Sequence, residues 1–540
     1  MNTIYSFPMP KNEKVKSYSP NSPERAQVMQ ELAAFSDTIT EIPLIIHGKE
    51  VFSNRVIDIT APHDHKKVIA RVHMAGEKEL DMAIKSAMKA KESWANLSCD
   101  HRAAVFQRTA ELLATKYRYK INAATMLGQS KTVYQSEIDA ACEMIDFLRF
   151  NTYFMSEIYS TQPNRTASAV NRMEYRPMEG VILAISPFNF TSIGGNLCSS
   201  PALMGNTVLW KPAESAILSN YVLMQAFLEA GLPDGVINFV PCEGPNLTQA
   251  AMDSGTLGGI HFTGSTNVFN TIWKSVANGI EKLREYPRMV GETGGKDFLF
   301  AHTSCDHQAL ITALIRGAFE YQGQKCSGCS RAYLPKSVYE AVKDKLISET
   351  ESIKMGDPCD THNFVNAVIH KRAYDNIKGY IDRAKASKDT ELLCGGECDD
   401  SVGWYIRPTI FLAKTPDCET MREEIFGPVL TIYVYEDEEF SEMLKVCDKT
   451  SPYALTGSVF AKDRLVIEKM LKALTYSAGN IYINDKTTGA VVGQQPFGGG
   501  RKSGTNDKAG SKLNLLRWVT ARTITENYHP ATDYRYPFME

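Results

Sequence analysis

Apolar residues recur at three- and four-residue spacing through much of the first 160 positions and gather into short unbroken runs after about position 180. Ser22, Pro23 and Glu24 supply an N-cap, an N1 proline and a first-turn acid, and predict a helix to about Phe35. Ile42 to Thr60 alternates as short strands around a turn at Gly48 and Lys49. Helices are predicted over Lys78 to Ala95, Asp100 to Leu127 and Glu137 to about Ile158, the last with Ile138, Ala141, Ile145 and Leu148 on one face. Thr161 to Arg176 turns polar and alternating and predicts a projecting hairpin.

The most regular stretch follows. Apolar runs open at Val181, Val208, Ile237 and Ile260, spaced 27, 29 and 23 residues apart, and each gap holds a helical pattern. Four βα units at that pitch predict a parallel, doubly wound α/β sheet, whose ligands bind at the carboxyl ends of the strands. Those ends carry Ser186, Pro187, Phe188 and Asn189, then Lys211 to Glu214, then Phe262 to Ser265. The pattern restarts at Gly291 with a second α/β region that runs to about Gly504. Leu515 to Glu526 is rich in β-branched residues, and such an exposed strand calls for a cover, with another subunit a natural one.

At 540 residues the chain is too long for a single core. A net charge of −3, from 59 basic and 62 acidic residues without long runs of either sign, gives no electrostatic case for nucleic acid or an anionic membrane. Twelve cysteines, mostly single, do not form a disulfide framework and point to a reducing compartment. No apolar run approaches the length of a spanning helix. The first twenty residues read as an extended arm, lacking a signal-peptide core or an Arg-rich amphipathic pattern. The expected location is the cytoplasm, and a mature enzyme of the mitochondrial matrix would look the same.

The chemistry is expected in Tyr321 to Arg331, where glycines flank a thiol at Cys326 and Lys325 beside it would favour the thiolate. Cys326 and Cys329 could instead form a redox dithiol or half a zinc site. Neither alternative fits well, because no second Cys-x-x-Cys exists, no histidine lies close by, and a helical pattern rather than a strand precedes the pair.

Five motifs occur together and in order: Asn189 in SPFNF, Lys211 in WKPAE, Glu292 in GETGGK, Cys326 in GQKCS and Glu424 in EEIFGPV. The chain from about Ile42 onward resembles the aldehyde dehydrogenase superfamily in these motifs. Within it, SPFNFTSIGGNL, GQKCSGCSR and the stretch Asn480 to Gly510 resemble the Δ1-pyrroline-5-carboxylate dehydrogenases, which oxidise L-glutamate γ-semialdehyde with NAD. The resemblance implies Cys326 as nucleophile, Asn189 with the Cys326 N–H as oxyanion donors, and Glu292 as the base for thioester hydrolysis. It places the dinucleotide against Ser186, Pro187, Phe188, Lys211, Glu214, Gly264 and Ser265, with Glu424 at the nicotinamide ribose and Phe426 near the ring. A carboxylate at Glu214 favours NAD over NADP. Phe269 departs from the family, standing where many members have a second glycine.

For the substrate, the resemblance implies that the Gly489 and Ala490 N–H groups and the Ser327 hydroxyl hold the α-carboxylate. Phe190 and Phe497 would sandwich the chain, and Glu137 would sit near the active site. Taken singly, each has an ordinary structural reading: Asn189 as a turn residue beside Pro187, Lys211 and Glu214 as a surface ion pair, and the phenylalanines as core. No metal is expected. The implied organisation is a dinucleotide-binding domain (residues 1–160 and 177–290), a catalytic domain (291–504), and a flap (161–176 with 505–540) through which subunits pair at least as dimers. Proline dehydrogenase is a transient partner by the same resemblance.

Overall fold

A computed structural model describes residues 6–539. Residues 1–5 of the expected arm and residue 540 of the tail lie outside the described residues. The arm itself, from residue 6 to Ser19, has neither helix nor strand, and Ser22 caps the helix Pro23–Ser36 by accepting from the Arg25 N–H.

The four predicted strands form at Val181–Ile185, Val208–Lys211, Ile237–Phe239 and Leu257–Thr263, and Arg288–Glu292 adds a fifth. They pair in parallel in the order Arg288–Glu292, Leu257–Thr263, Val181–Ile185, Val208–Lys211, Ile237–Phe239. The antiparallel hairpin Leu44–Ile46 and Lys49–Val51 extends the far edge, turning through His47 and Gly48. Successive strands run outward from Val181–Ile185 in one direction before the chain returns to its other side. That reversal opens a crevice between Val181–Ile185 and Leu257–Thr263 at their carboxyl ends.

A second sheet of seven strands is centred on Val429–Tyr435, Cys329–Pro335, Asp297–Ala301 and Thr456–Phe460, all parallel. The chain passes from one sheet to the other through residues 293–296, so the strand Arg288–Glu292 straddles the boundary expected at 290.

Three expectations are corrected. Asp100 to Leu127 is two helices, Cys99–Ala114 and Arg118–Gln129, broken at Thr115. Thr161 to Arg176 is not a self-contained hairpin: only Ala169–Arg176 is a strand, and it pairs over eight residues with the distant Thr520–Asn527. The flap does not start at 505, because Leu515 and Trp518 are buried in the first domain's core and Asp507, Lys508, Ala509 and Asn514 face the central cleft. Among the described residues no helix is long and apolar enough to cross a membrane, and no three metal-ligating side chains converge.

Candidate active site

Cys326 sits between the helix His307–Phe319 and the strand Cys329–Pro335. The connection reverses through three successive left-handed residues, Tyr321 (φ 51°), Gln322 (φ 55°) and Gly323 (φ 66°). Two of them pay the Cβ penalty of that region, and surrounding bonds hold them. The Gln322 amide donates to the carbonyls of Ser130 (3.1 Å) and Ala367 (2.8 Å), and Gln324 Oε1 accepts from the Ile369 N–H (2.9 Å). Gly323 has no substitute here, since a Cβ would lie 2.1 Å from the Gly427 carbonyl oxygen.

Cys326, Ser327, Glu292, Phe190, Gly489, Ala490 and Phe497 line one cleft. Asn189 is buried just behind Cys326, its amide donating to the Gln324 carbonyl (3.0 Å). Glu292 ends its strand with Oε1 buried and without a partner. Burial, assisted by Asp507 and Glu143 and opposed by Lys508, pushes its carboxyl up to about 8. The Cys326 thiol is held well above its ordinary value by burial first, then by the Glu292, Asp297 and Glu424 carboxylates.

That corrects the expectation for Lys325. Its ammonium turns to Glu320 (3.4 Å) and Asp139 (3.9 Å) instead of serving the sulfur. Cys329 lies in the strand beneath, fully buried, its thiol raised to about 12, and all twelve cysteines are free. A redox pair with Cys326 is therefore not formed.

Beside Cys326, Ser327 Oγ donates to Thr488 Oγ1 (3.0 Å), and Thr487 donates to the Ser327 carbonyl (2.6 Å). Gly489 takes φ 101°, a backbone conformation that favours glycine. Phe190 lies beneath the Lys131 ammonium, 4.4 Å from the ring centroid.

Glu137 does not face the cleft. A π-helical turn, Glu137–Cys142, interrupts the predicted helix and turns Ile138 and Asp139 to the cleft while sending Glu137 away from it. There the Glu137 carboxylate accepts from Arg118, Tyr18 Oη (2.7 Å) and Asn122 Nδ2 (2.8 Å). Asp139, Glu143 and Lys131 escaped the sequence reading because helical periodicity contains no sign of the extra residue in a π turn. Asp139 pairs with Lys131 at 2.7 Å, and burial raises Glu143 to about 8 and lowers Lys131 to about 8.

The residues expected to hold the dinucleotide border the crevice between the sheets. Ser186 accepts from Trp210 Nε1 (2.8 Å), followed by Pro187 and by Phe188, whose ring meets Phe426 edge-on at 5.7 Å. Lys211 ends its strand half-buried, and Glu214 opens the next turn exposed. Among the described residues they form no ion pair with each other. Gly264 leads to Ser265, which caps the helix Thr266–Asn278. Phe269 stacks on Phe262 (5.4 Å) and packs over Gly291, so its bulk fills the first core and stays clear of the turn at Gly264. Glu424 accepts from the Gly295 N–H (2.8 Å), and burial raises its carboxyl to about 7.

A family model described as the aldehyde dehydrogenase family matches residues 50–524. The chain is 53% identical over 537 residues, 99% of it and 96% of the relative, to a protein of Dictyostelium discoideum named delta-1-pyrroline-5-carboxylate dehydrogenase, mitochondrial. It is similar over its whole length, and over the whole of that chain, to the Mycobacterium tuberculosis delta-pyrroline-5-carboxylate dehydrogenase bound with NAD (48% identity, TM-score 0.97). It also matches proline utilization A of Bdellovibrio bacteriovorus at 29% identity and TM-score 0.91, across 96% of this chain and 53% of that one. With two largely parallel sheets, a thiol on the loop that leads into the strand Cys329–Pro335 and a family match over most of its length, this chain belongs to the aldehyde dehydrogenase family.

Proposed function

We propose that this enzyme oxidises L-glutamate γ-semialdehyde, the open form of Δ1-pyrroline-5-carboxylate, to L-glutamate with NAD, the second step of proline breakdown. The observation that carries the reading is one cleft lined by a thiol and a buried carboxyl together with Ser327, Thr488, Gly489 and Ala490. An aldehyde that also bears a carboxylate has a partner for each of its ends among those residues.

In this mechanism Cys326 Sγ bonds to the aldehyde carbon while Glu292 takes the thiol proton. The thiol's raised pKa makes such a base necessary. The oxygen that becomes negative is held by the Cys326 N–H and by the second N–H of the Asn189 amide, whose first serves Gln324. Bound NAD supplies the acceptor for the hydride leaving that carbon. Glu292 gives the thiol proton up to solvent and then draws a proton from the water that attacks the thioester; the C–S bond breaks, the acid leaves, and that proton returns to Cys326 Sγ. Its carboxyl near 8 suits both proton transfers.

The crevice fits a dinucleotide by its own chemistry. The helix Thr266–Asn278 points its N-terminal N–H groups toward it, Glu214 offers a carboxylate for a ribose hydroxyl, and Glu424 lies across Gly294 and Gly295 where the crevice meets Cys326. The reading extends to a dinucleotide domain ending near Glu292, a catalytic domain from there to Gly504, and a dimer formed through the ribbon Ala169–Arg176 with Thr520–Asn527. It further includes a reducing compartment, cytoplasm or mitochondrial matrix, and proline dehydrogenase as a transient partner.

NADH formation tests the reading. Δ1-pyrroline-5-carboxylate is expected to outperform simple aliphatic aldehydes in kcat/KM, and the opposite order overturns the substrate. Cys326→Ala is expected to lower turnover by on the order of a thousandfold or more, while Cys329→Ala keeps much of it.

A further inference from the structure

The arm at the start of the chain has no backbone ladder to hold it, and its side chains bind the cleft's outer walls. Asn12 Nδ2 donates to the Val492 carbonyl (2.7 Å) and to Asp146 Oδ2 (2.8 Å), and Asn12 Oδ1 accepts from Gln494 Nε2 (2.9 Å). Glu13 bridges Arg118 (2.6 Å) and Arg149 (2.7 Å), and its own N–H donates to Asp146 Oδ1 (2.7 Å). The Lys16 N–H (2.9 Å) and the Tyr18 hydroxyl (2.7 Å) both donate to Glu137, the first residue of the π turn.

These bonds end on three segments. One is the turn and following helix that send Ile138, Asp139 and Glu143 into the cleft, the second is the loop that carries Thr488, Gly489, Ala490 and Phe497, and the third is the helix Arg118–Gln129 behind the turn. The arm itself contributes no residue to the cleft lining.

We infer that residues 12–18 are a positioning staple for the substrate end of the active site, with Asn12 joining the carboxylate-anchoring loop to the helix that forms the opposite wall. The inference rests on the proposed function for its substrate and stands apart from the chemistry at Cys326. An unstapled loop samples more conformations, and only a fraction of them present the Gly489 and Ala490 N–H groups together. The apparent affinity for a carboxylate falls by that fraction. The dinucleotide crevice, on the far side of Cys326, receives no bond from residues 12–18.

The test is Asn12→Ala, which deletes three hydrogen bonds from a half-buried position, with Gln494→Ala as a milder variant on the same branch. In Asn12→Ala, KM for Δ1-pyrroline-5-carboxylate is expected to rise roughly tenfold. The kcat, the KM for NAD and the kcat/KM for propanal, which has no carboxylate, should stay within about twofold. Amide hydrogen exchange of residues 487–497 is expected to quicken without substrate present, and exchange in the strand Val181–Ile185 to stay as it was. Unchanged KM and unchanged exchange overturn the staple, as does an equal loss with propanal, which would mean general loosening. If the unaltered enzyme does not oxidise Δ1-pyrroline-5-carboxylate, the proposed substrate fails and the exchange result alone decides the staple. If Asn12→Ala does not fold, Gln494→Ala carries the same comparisons.

Discussion

Glu292, the proposed base, lies in a site that penalises its charge. Its carboxyl titrates near 8 in the fold against an ordinary 4.5. Below pH 4.5 it is protonated folded and unfolded alike, so its burial has no charge to desolvate. Between 4.5 and 8 the unfolded chain releases the proton and the folded chain keeps it, so stability falls as pH rises and the loss is complete above 8. Glu292→Gln removes this dependence. Its stability is expected to exceed that of the unaltered protein at pH 9, by on the order of 2 kcal/mol in a cleft open to solvent and with a higher melting temperature, and the two to converge near pH 4. Equal melting temperatures at pH 9 would place the carboxylate in water. Hydrolytic turnover should rise with pH up to about 8 and be lost in the variant. The sequence singled out Cys326, Glu292 and Asn189 because their motifs occur together, and the fold puts Cys326 and Glu292 on one cleft and bonds Asn189 to Gln324. The Lys325 expectation failed because adjacency in sequence does not direct a side chain: the ammonium faces two carboxylates on the opposite side.

At the scale of elements, strands and helices followed from periodicity, while the irregular turns that shape the site did not. Neither Tyr321 nor Gln322 is a residue that favours left-handed backbone, and it is the tertiary bonds of Gln322 and Gln324 that impose it. Likewise, the sequence from Glu137 to Ile158 reads as one continuous helix, and the π turn that separates Glu137 from Asp139 leaves no trace in its pattern. Gly323 gives this level its test. In Gly323→Ala the new Cβ meets the Gly427 carbonyl in a backbone region that L-residues avoid, so the reversal must shift. A stability loss of about 2 to 3 kcal/mol is expected, with a fall in kcat as Cys326 moves away from Asn189. Unfolding curves and turnover measured on the same sample check it, and unchanged values would mean that the turn is pliable.

For the whole molecule, the doubly wound sheet was readable from four apolar runs at even pitch, and the ribbon was misread because its two strands lie more than 340 positions apart in sequence. A hairpin announces itself locally, whereas a long-range antiparallel pair has no local signature. In the proposed dimer the ribbon, half-buried on Ala169–Arg176 and mostly exposed on Thr520–Asn527, is the surface that a second copy would cover. Removing residues 520–540 while keeping Trp518 in its core should reduce the assembly seen by light scattering, and an unaltered mass would exclude the ribbon. A cut after Gly510 would be uninformative, since it also removes Leu515 and Trp518 from the first core.

The arm has one more consequence. Coupling between two sites is reciprocal: if the first residues of the chain favour an occupied cleft, an occupied cleft holds those residues down to the same extent. An occupied cleft is then expected to slow proteolysis within residues 12–18, and an empty one to leave that segment easier to cut.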